Sequence, residues 1–167
     1  MAPETAITNW LRDAHAMEMQ AIQILKNQAQ RIETYPDLRG RILEHLEETR
    51  AQAELLERCL ERLGTTVSPF KDSAAAFVGN LQALGGAFMG DEVVKGAIGS
   101  YTFEHLEIAV YRSLLGAAEE VGDAETARVC REILRQEEAM AGWLEEHLPE
   151  ITRRYLRRAS AGESAKR

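Results

Sequence analysis

Apolar residues recur at steps of three and four along four stretches of the chain, which is the spacing of one helical face. The first stripe runs Ile7, Leu11, Ala14, Glu18, Ala21, Leu25 and Ile32, and predicts a helix over about 4–33. "TYPD" at 34–37 breaks it, and Asp37 is placed to cap the next helix. The second stripe, Ile42, Leu46, Thr49, Ala53, Leu56, Leu60 and Leu63, predicts a helix over about 38–63. Gly64 follows where a left-handed residue commonly ends a helix. The third stripe, Ala97, Tyr101, Glu104, Ile108, Tyr111 and Leu115, predicts a helix over about 91–119. "VGD" at 121–123 makes a turn, with Asp123 as the cap of the fourth helix. That helix carries Cys130, Ile133, Glu137, Ala141, Leu144 and Leu148, and Pro149 marks its expected boundary. "ITRRYLRR" adds one or two turns, and 159–167 is expected to be a disordered tail.

The connections suggest the topology. Helices one and two, and helices three and four, are joined by a few residues and should be antiparallel neighbours. Residues 65–90 contain Pro69 and several glycines, with room for a short helix near 73–84. A connection of roughly 25 residues is far longer than a bundle turn needs. It can travel the roughly 40 Å length of a 27-residue helix. The expected fold is all-α: a ferritin-like four-helix bundle of two antiparallel helical hairpins, joined by a long crossover with a short helix. Residues 1–158 would form this single domain.

Glu104 interrupts a stripe whose other members suit a core. Glu18 and Glu137 do the same on the first and fourth helices, and Glu48 lies at the stripe edge of the second, beside His45 and Gln52. Each acid falls within about two residues, or roughly 3 Å, of its helix midpoint, so the four should converge in one layer. A lone Glu in a stripe is ordinarily a boundary residue reaching solvent. Four ionised carboxylates in a core repel one another and lose hydration. Two metal ions would meet both costs, and oxygen ligands suit iron first and manganese second. Glu107, one turn after Glu104, reads equally as a fifth ligand or as part of a solvated face. Tyr111, a turn further, could donate to a carboxylate or be plain core.

Histidine is the weak point of this constellation. Di-iron bundles commonly carry Glu-x-x-His on two helices. Here Glu47 leads to Arg50, Glu48 to Ala51 and Glu137 to Met140. His15 and His45 occur in the reverse order, His-x-x-Glu. His45 is near the inner face, and the balance tips slightly toward a supporting role over a ligating one. His15 suits an interface with a neighbouring helix.

Composition narrows the setting. The net charge of −7 over 167 residues argues against nucleic acid as a general partner. Cys59 and Cys130 fall on apolar stripes and read as free buried thiols. No apolar run suits a signal peptide or a membrane span, so a cytoplasmic protein without a membrane partner is expected. No phosphate loop, nucleophile triad or zinc-ligand cluster is visible.

"AMEMQAI", "EHLEETRAQAELLE", "FEHLEIAVYRSL" and "REILRQEEA" occur in this order and together resemble the YciE/YciF group of bacterial ferritin-like proteins. The resemblance covers about residues 5–148. It implies a di-metal centre of ferroxidase-like character, a link to stress responses and a homodimer. Its metal-binding acids would be Glu18, Glu48, Glu104 and Glu137, with Glu107 matching the group's "EHxE" pattern. Arg50 and Ala141 stand where some relatives carry a histidine and an acid. Two functions follow. In one, iron(II) in the carboxylate layer is oxidised by dioxygen. In the other, the chain is a structural or interaction homodimer with a degenerate metal site and no redox turnover.

Overall fold

The computed structural model describes residues 2–67 and 90–166. Four helices occupy them: α1 (Pro3–Arg31), α2 (Pro36–Arg62), α3 (Glu92–Glu120) and α4 (Ala124–Ser160). The short helix expected near 73–84 lies outside the described residues. No helix among those described is long and apolar enough to cross a membrane.

Local chemistry sets the helix ends. Pro3 and Pro36 open α1 and α2, where a missing N–H costs nothing. Tyr35, not Asp37, precedes α2 as its cap residue, and Asp37 sits in the first turn, where its charge favours the helix dipole. Asp123 caps α4 as expected: its carboxylate accepts from the Thr126 N–H at 3.1 Å. Gly64 has φ of 73°, and the N–H of Thr65 returns to the Leu60 carbonyl at 3.0 Å, a closure that an L side chain would strain.

Contacts between helix ends fix direction. The Arg12 guanidinium, near the start of α1, donates to the Thr66 carbonyl just beyond α2. Arg31, ending α1, pairs with Glu92, starting α3, with Nη2 to Oε2 at 2.9 Å. Arg62, ending α2, pairs with Asp123 before α4. The neighbours α1/α2, α3/α4, α1/α3 and α2/α4 therefore run antiparallel. The chain leaves α2 at one end of the bundle and enters α3 at the other, as the long crossover requires.

Four further sequence expectations need correction. First, α4 continues through Pro149 to Ser160. Pro149 and Glu145, whose carbonyl loses its partner, are both exposed, so water can take the vacated bond. Beyond the proline, Ile151 is buried in the apolar cluster that also holds Tyr35 and Leu38, and this burial holds the extension in place. Second, the tail is tied down as far as Lys166. Tyr35 Oη donates to the Ala165 carbonyl at 2.7 Å, and the Val93 N–H donates to the Lys166 carbonyl at 3.0 Å. Third, the buried face of α3 is wider than predicted and shifted at its two ends. Ala97, Glu104, Ile108 and Tyr111 are buried as predicted, but Val93, Ser100, Phe103, Glu107, Leu114 and Ala118 are buried with them, while Tyr101 and Leu115 are only half-buried. Glu107 thus lies within the inner stripe. Fourth, Leu63 at the end of α2 is exposed where the stripe predicted burial.

The core divides in two. Leu11, Leu56, Leu60, Leu114 and Ile133 belong to one apolar cluster, and Leu25, Leu38, Ile42, Met140 and Leu144 to a second. Between them, at mid-helix, lies a layer of buried polar side chains.

Asp123→Ala should cost about 1–2 kcal/mol of stability, since it removes a cap and the partner of Arg62. Asp123→Asn should cost less, because an amide oxygen still caps. Although burial pushes the Asp123 carboxyl up, its bonds from Arg62 and Thr126 outweigh that and hold it below the usual range. A depressed folded-state value contributes stability above the unfolded pKa of about 3.9 and loses it as pH falls. The deficit of the alanine variant, read from urea unfolding, should therefore shrink in acid.

Candidate metal centre

The polar layer is built from all four helices: Glu18 on α1, His45, Thr49 and Gln52 on α2, Glu104 and Glu107 on α3, and Glu137 on α4. None of these side chains is more than 2% exposed. One ligating atom from each of His45, Glu104, Glu107 and Glu137 lies within 4.8 Å of the other three. His45 Nε2 stands 3.2 Å from Glu104 Oε2 and 3.4 Å from Glu137 Oε2. Neither approach is aligned as a hydrogen bond, since both oxygens lack a donor.

Glu18 faces this group from α1. Tyr111 donates a short hydrogen bond to Glu18 Oε1, which leaves Oε2 without a partner. Gln52 Nε2 donates to Glu137 Oε1 and, at 2.8 Å, to Gln136 Oε1. Glu18 Oε2, Glu104 Oε2, Glu107 Oε1 and Glu137 Oε2 are therefore buried carboxylate oxygens without a donor, and the Gln52 carbonyl shares their condition.

Electrostatics reflects this crowding. Burial, then the charge of Glu137, pushes Glu18 well above the carboxylate range despite the Tyr111 bond. Burial, then the charges of Glu18 and Glu137, does the same to Glu107. Burial raises Glu104 to about 7, and the nearby His45 offsets part of the rise. Burial also acts on Glu137, but the contact and charge of His45 outweigh it and hold this carboxyl low. For His45, burial favours the neutral ring, yet Glu104, Glu137 and Glu48 raise it to about 12. Without a metal the layer therefore avoids negative charge by keeping protons on Glu18 and Glu107, and bound cations would take the place of those protons. Four carboxylates and one imidazole form an oxygen-rich donor set suited to iron or manganese. These residues fit a metal centre.

The structure brings together most of the sequence candidates. Glu104, Glu107 and Glu137 join one group, and Glu18 borders it. Glu48 does not join: it is half-buried, and its Oε2 lies 2.8 Å from His45 Nδ1, on the far side of the ring. His45, weighed toward a supporting role, instead turns Nε2 into the group. The signal for it was present, because position 45 falls on the buried face of α2 with Ile42, Thr49 and Gln52. His15 pairs with Glu57 across α1 and α2 at 2.9 Å, as its interface position suggested. Cys59 and Cys130 are free, buried and part of an apolar cluster.

Comparison with known proteins agrees with this architecture. A family model described as "Domain of unknown function (DUF892)" matches residues 3–157. A solved protein from Xanthomonas campestris pv. campestris is 40% identical, with 95% of this chain and 99% of that chain covered and a TM-score of 0.82. The Escherichia coli stress protein YciF is 22% identical, with 89% and 95% covered and a TM-score of 0.77. A ferritin-like, diiron-carboxylate protein of Bacillus anthracis is 14% identical, with 89% and 99% covered and a TM-score of 0.72. The last two share the fold. The YciE/YciF kinship and the ferritin-like bundle expected from sequence are both borne out.

Glu107→Leu replaces a buried carboxyl that has one unpartnered oxygen with an apolar group of similar size. Chelator-treated protein carrying it should be more stable than wild type by about 1–3 kcal/mol. Urea unfolding measures this, and a loss of stability would mean that the carboxyl is already satisfied.

Proposed function

The chain belongs to the DUF892 family, among the YciF-related ferritin-like proteins, and on that footing we propose that it holds a pair of metal ions, iron by preference, in the carboxylate layer. One observation carries the reading: four buried carboxylate oxygens on three helices lack any donor, and two of them, on Glu104 and Glu137, lie within 3.4 Å of the inner nitrogen of His45. Glu18, Glu104, Glu107 and Glu137 would supply oxygen ligands and His45 a nitrogen. Tyr111 holds one oxygen of Glu18 and Gln52 holds one oxygen of Glu137, so each acid keeps a free oxygen for the centre. The apolar clusters on either side keep bulk water from the layer.

The activity that fits this donor set is ferroxidase-like. When bound, iron(II) supplies the electrons for reduction of dioxygen. The chain's own part is to bind the cations, balance their charge and confine the reaction to a dry chamber. A stress-related role and a cytoplasmic homodimer complete the proposal. They are supported by the sequence resemblance and, for stress, by the description of the YciF neighbour.

Chelator-stripped protein titrated anaerobically with iron(II) should take up two ions per chain. At a free concentration a hundredfold above Kd, one site alone stabilises the fold by about 2.7 kcal/mol. Glu107→Leu should lose most of that gain while remaining folded. Uptake below one ion per chain, with no thermal shift, would overturn the metal centre. An oxygen electrode tests the reaction: uptake should exceed the buffer rate, and bound iron without oxygen uptake would restrict the protein to metal binding.

A further inference from the structure

Glu48 carries a carboxylate to the edge of the centre without reaching it. It stands one helical turn after His45 on α2, and i,i+3 neighbours share a helix face. Its Oε2 is 2.8 Å from His45 Nδ1, and Arg41 Nη1 approaches the same oxygen at 3.4 Å while contacting Glu44 at 3.1 Å. Exposure falls inward along this line: the Glu48 side chain is 29% exposed and that of His45 1%. Arg41, at 12%, backs the carboxylate.

Donor and acceptor roles follow from chemistry. Glu48 Oε2 also faces the Arg41 guanidinium, which can only donate, so this carboxylate oxygen is the acceptor in both contacts. His45 must then donate from Nδ1. Once a metal displaces the proton on Nε2, a ring that keeps its hydrogen on Nδ1 presents its lone pair on Nε2, the atom facing Glu104 and Glu137. Metal-ligating histidines commonly give their other N–H to a carboxylate, which fixes both tautomer and ring orientation.

Building on the metal-centre reading, we propose that Glu48 is a positioning residue and not a ligand: backed by Arg41, it locks His45 with its hydrogen on Nδ1 and aims Nε2 between Glu104 and Glu137. The His-x-x-Glu order on α2 thereby provides the nitrogen donor that the missing Glu-x-x-His would have provided.

The test uses cobalt(II) and zinc(II) as probe ions on wild type, Glu48→Ala, Glu48→Gln and Arg41→Ala. Glu48→Ala should weaken cobalt(II) binding about ten- to a hundredfold, with the same number of ions per chain and the same cobalt(II) visible spectrum. Glu48→Gln should recover most of the affinity, because its carbonyl still accepts from Nδ1. Arg41→Ala should weaken binding less than Glu48→Ala. In zinc(II)-loaded protein the Nδ1 hydrogen of His45 should give a protected downfield resonance in wild type and Glu48→Gln, and exchange away in Glu48→Ala. A reduced ion count or altered spectrum in Glu48→Ala, unrescued by Gln, would make Glu48 a ligand and overturn the proposal. Unchanged affinity in Glu48→Ala would overturn it too. If wild type binds neither ion, the metal-centre reading fails and this inference falls with it; failure confined to the variants sinks this inference alone.

Discussion

Buried oxygen atoms without donors constrain everything else in this bundle. A carboxylate can be removed from water only if something replaces the lost hydration. Here one oxygen of each inner acid has no hydrogen-bond partner, and the acids face one another across a narrow space. Their second oxygens are treated differently: Tyr111 serves Glu18 and Gln52 serves Glu137. The protein thus satisfies the layer only in part. Glu104, Glu107 and Glu137 bring ligating oxygens close together, where a shared cation could meet several of them at once.

Such a layer is destabilising by itself, so the surrounding structure must hold it. Apolar clusters close it on both sides along the bundle axis. The paired helix ends, Arg31 with Glu92 and Arg62 with Asp123, fix the helices against one another at opposite ends of the bundle. With the backbones so fixed, the acids cannot relax apart without disturbing well-packed leucines. The arrangement follows the general rule that a functional site gives up local stability and draws it from its scaffold.

Much of this was legible in the sequence because helical periodicity is a strong signal over four long segments. Glu18, Glu104 and Glu137 stood out because each replaced an apolar residue at the centre of a stripe. Glu107 was ambiguous for a definite reason. Both Tyr101 and Ser100, and both Leu115 and Leu114, are compatible with a stripe through Glu104, and only packing against α1 and α4 selects the wider face that buries Glu107. His45 was underweighted because its order relative to Glu48 is reversed, and spacing does not say which partner turns inward. Pro149 was read as a boundary from its missing N–H, but burial of Ile151 two residues later outweighs that loss on an exposed face. The docked tail carries no periodic signal, since its anchors are backbone carbonyls.

Those carbonyl anchors bear on the order in which the molecule assembles. The bond from Tyr35 to Ala165 spans 130 residues, and contacts so distant in sequence form late because a long loop must close first. During synthesis the α1–α2 hairpin leaves the ribosome well before residues 161–166. In that interval Glu18 and His45 are ordinary residues on a solvated two-helix surface. The carboxylate chamber does not exist until α3 and α4 arrive to supply Glu104, Glu107 and Glu137. A nascent chain therefore presents no preformed cluster of buried acids, and the proposed metal centre could assemble only once the bundle has closed.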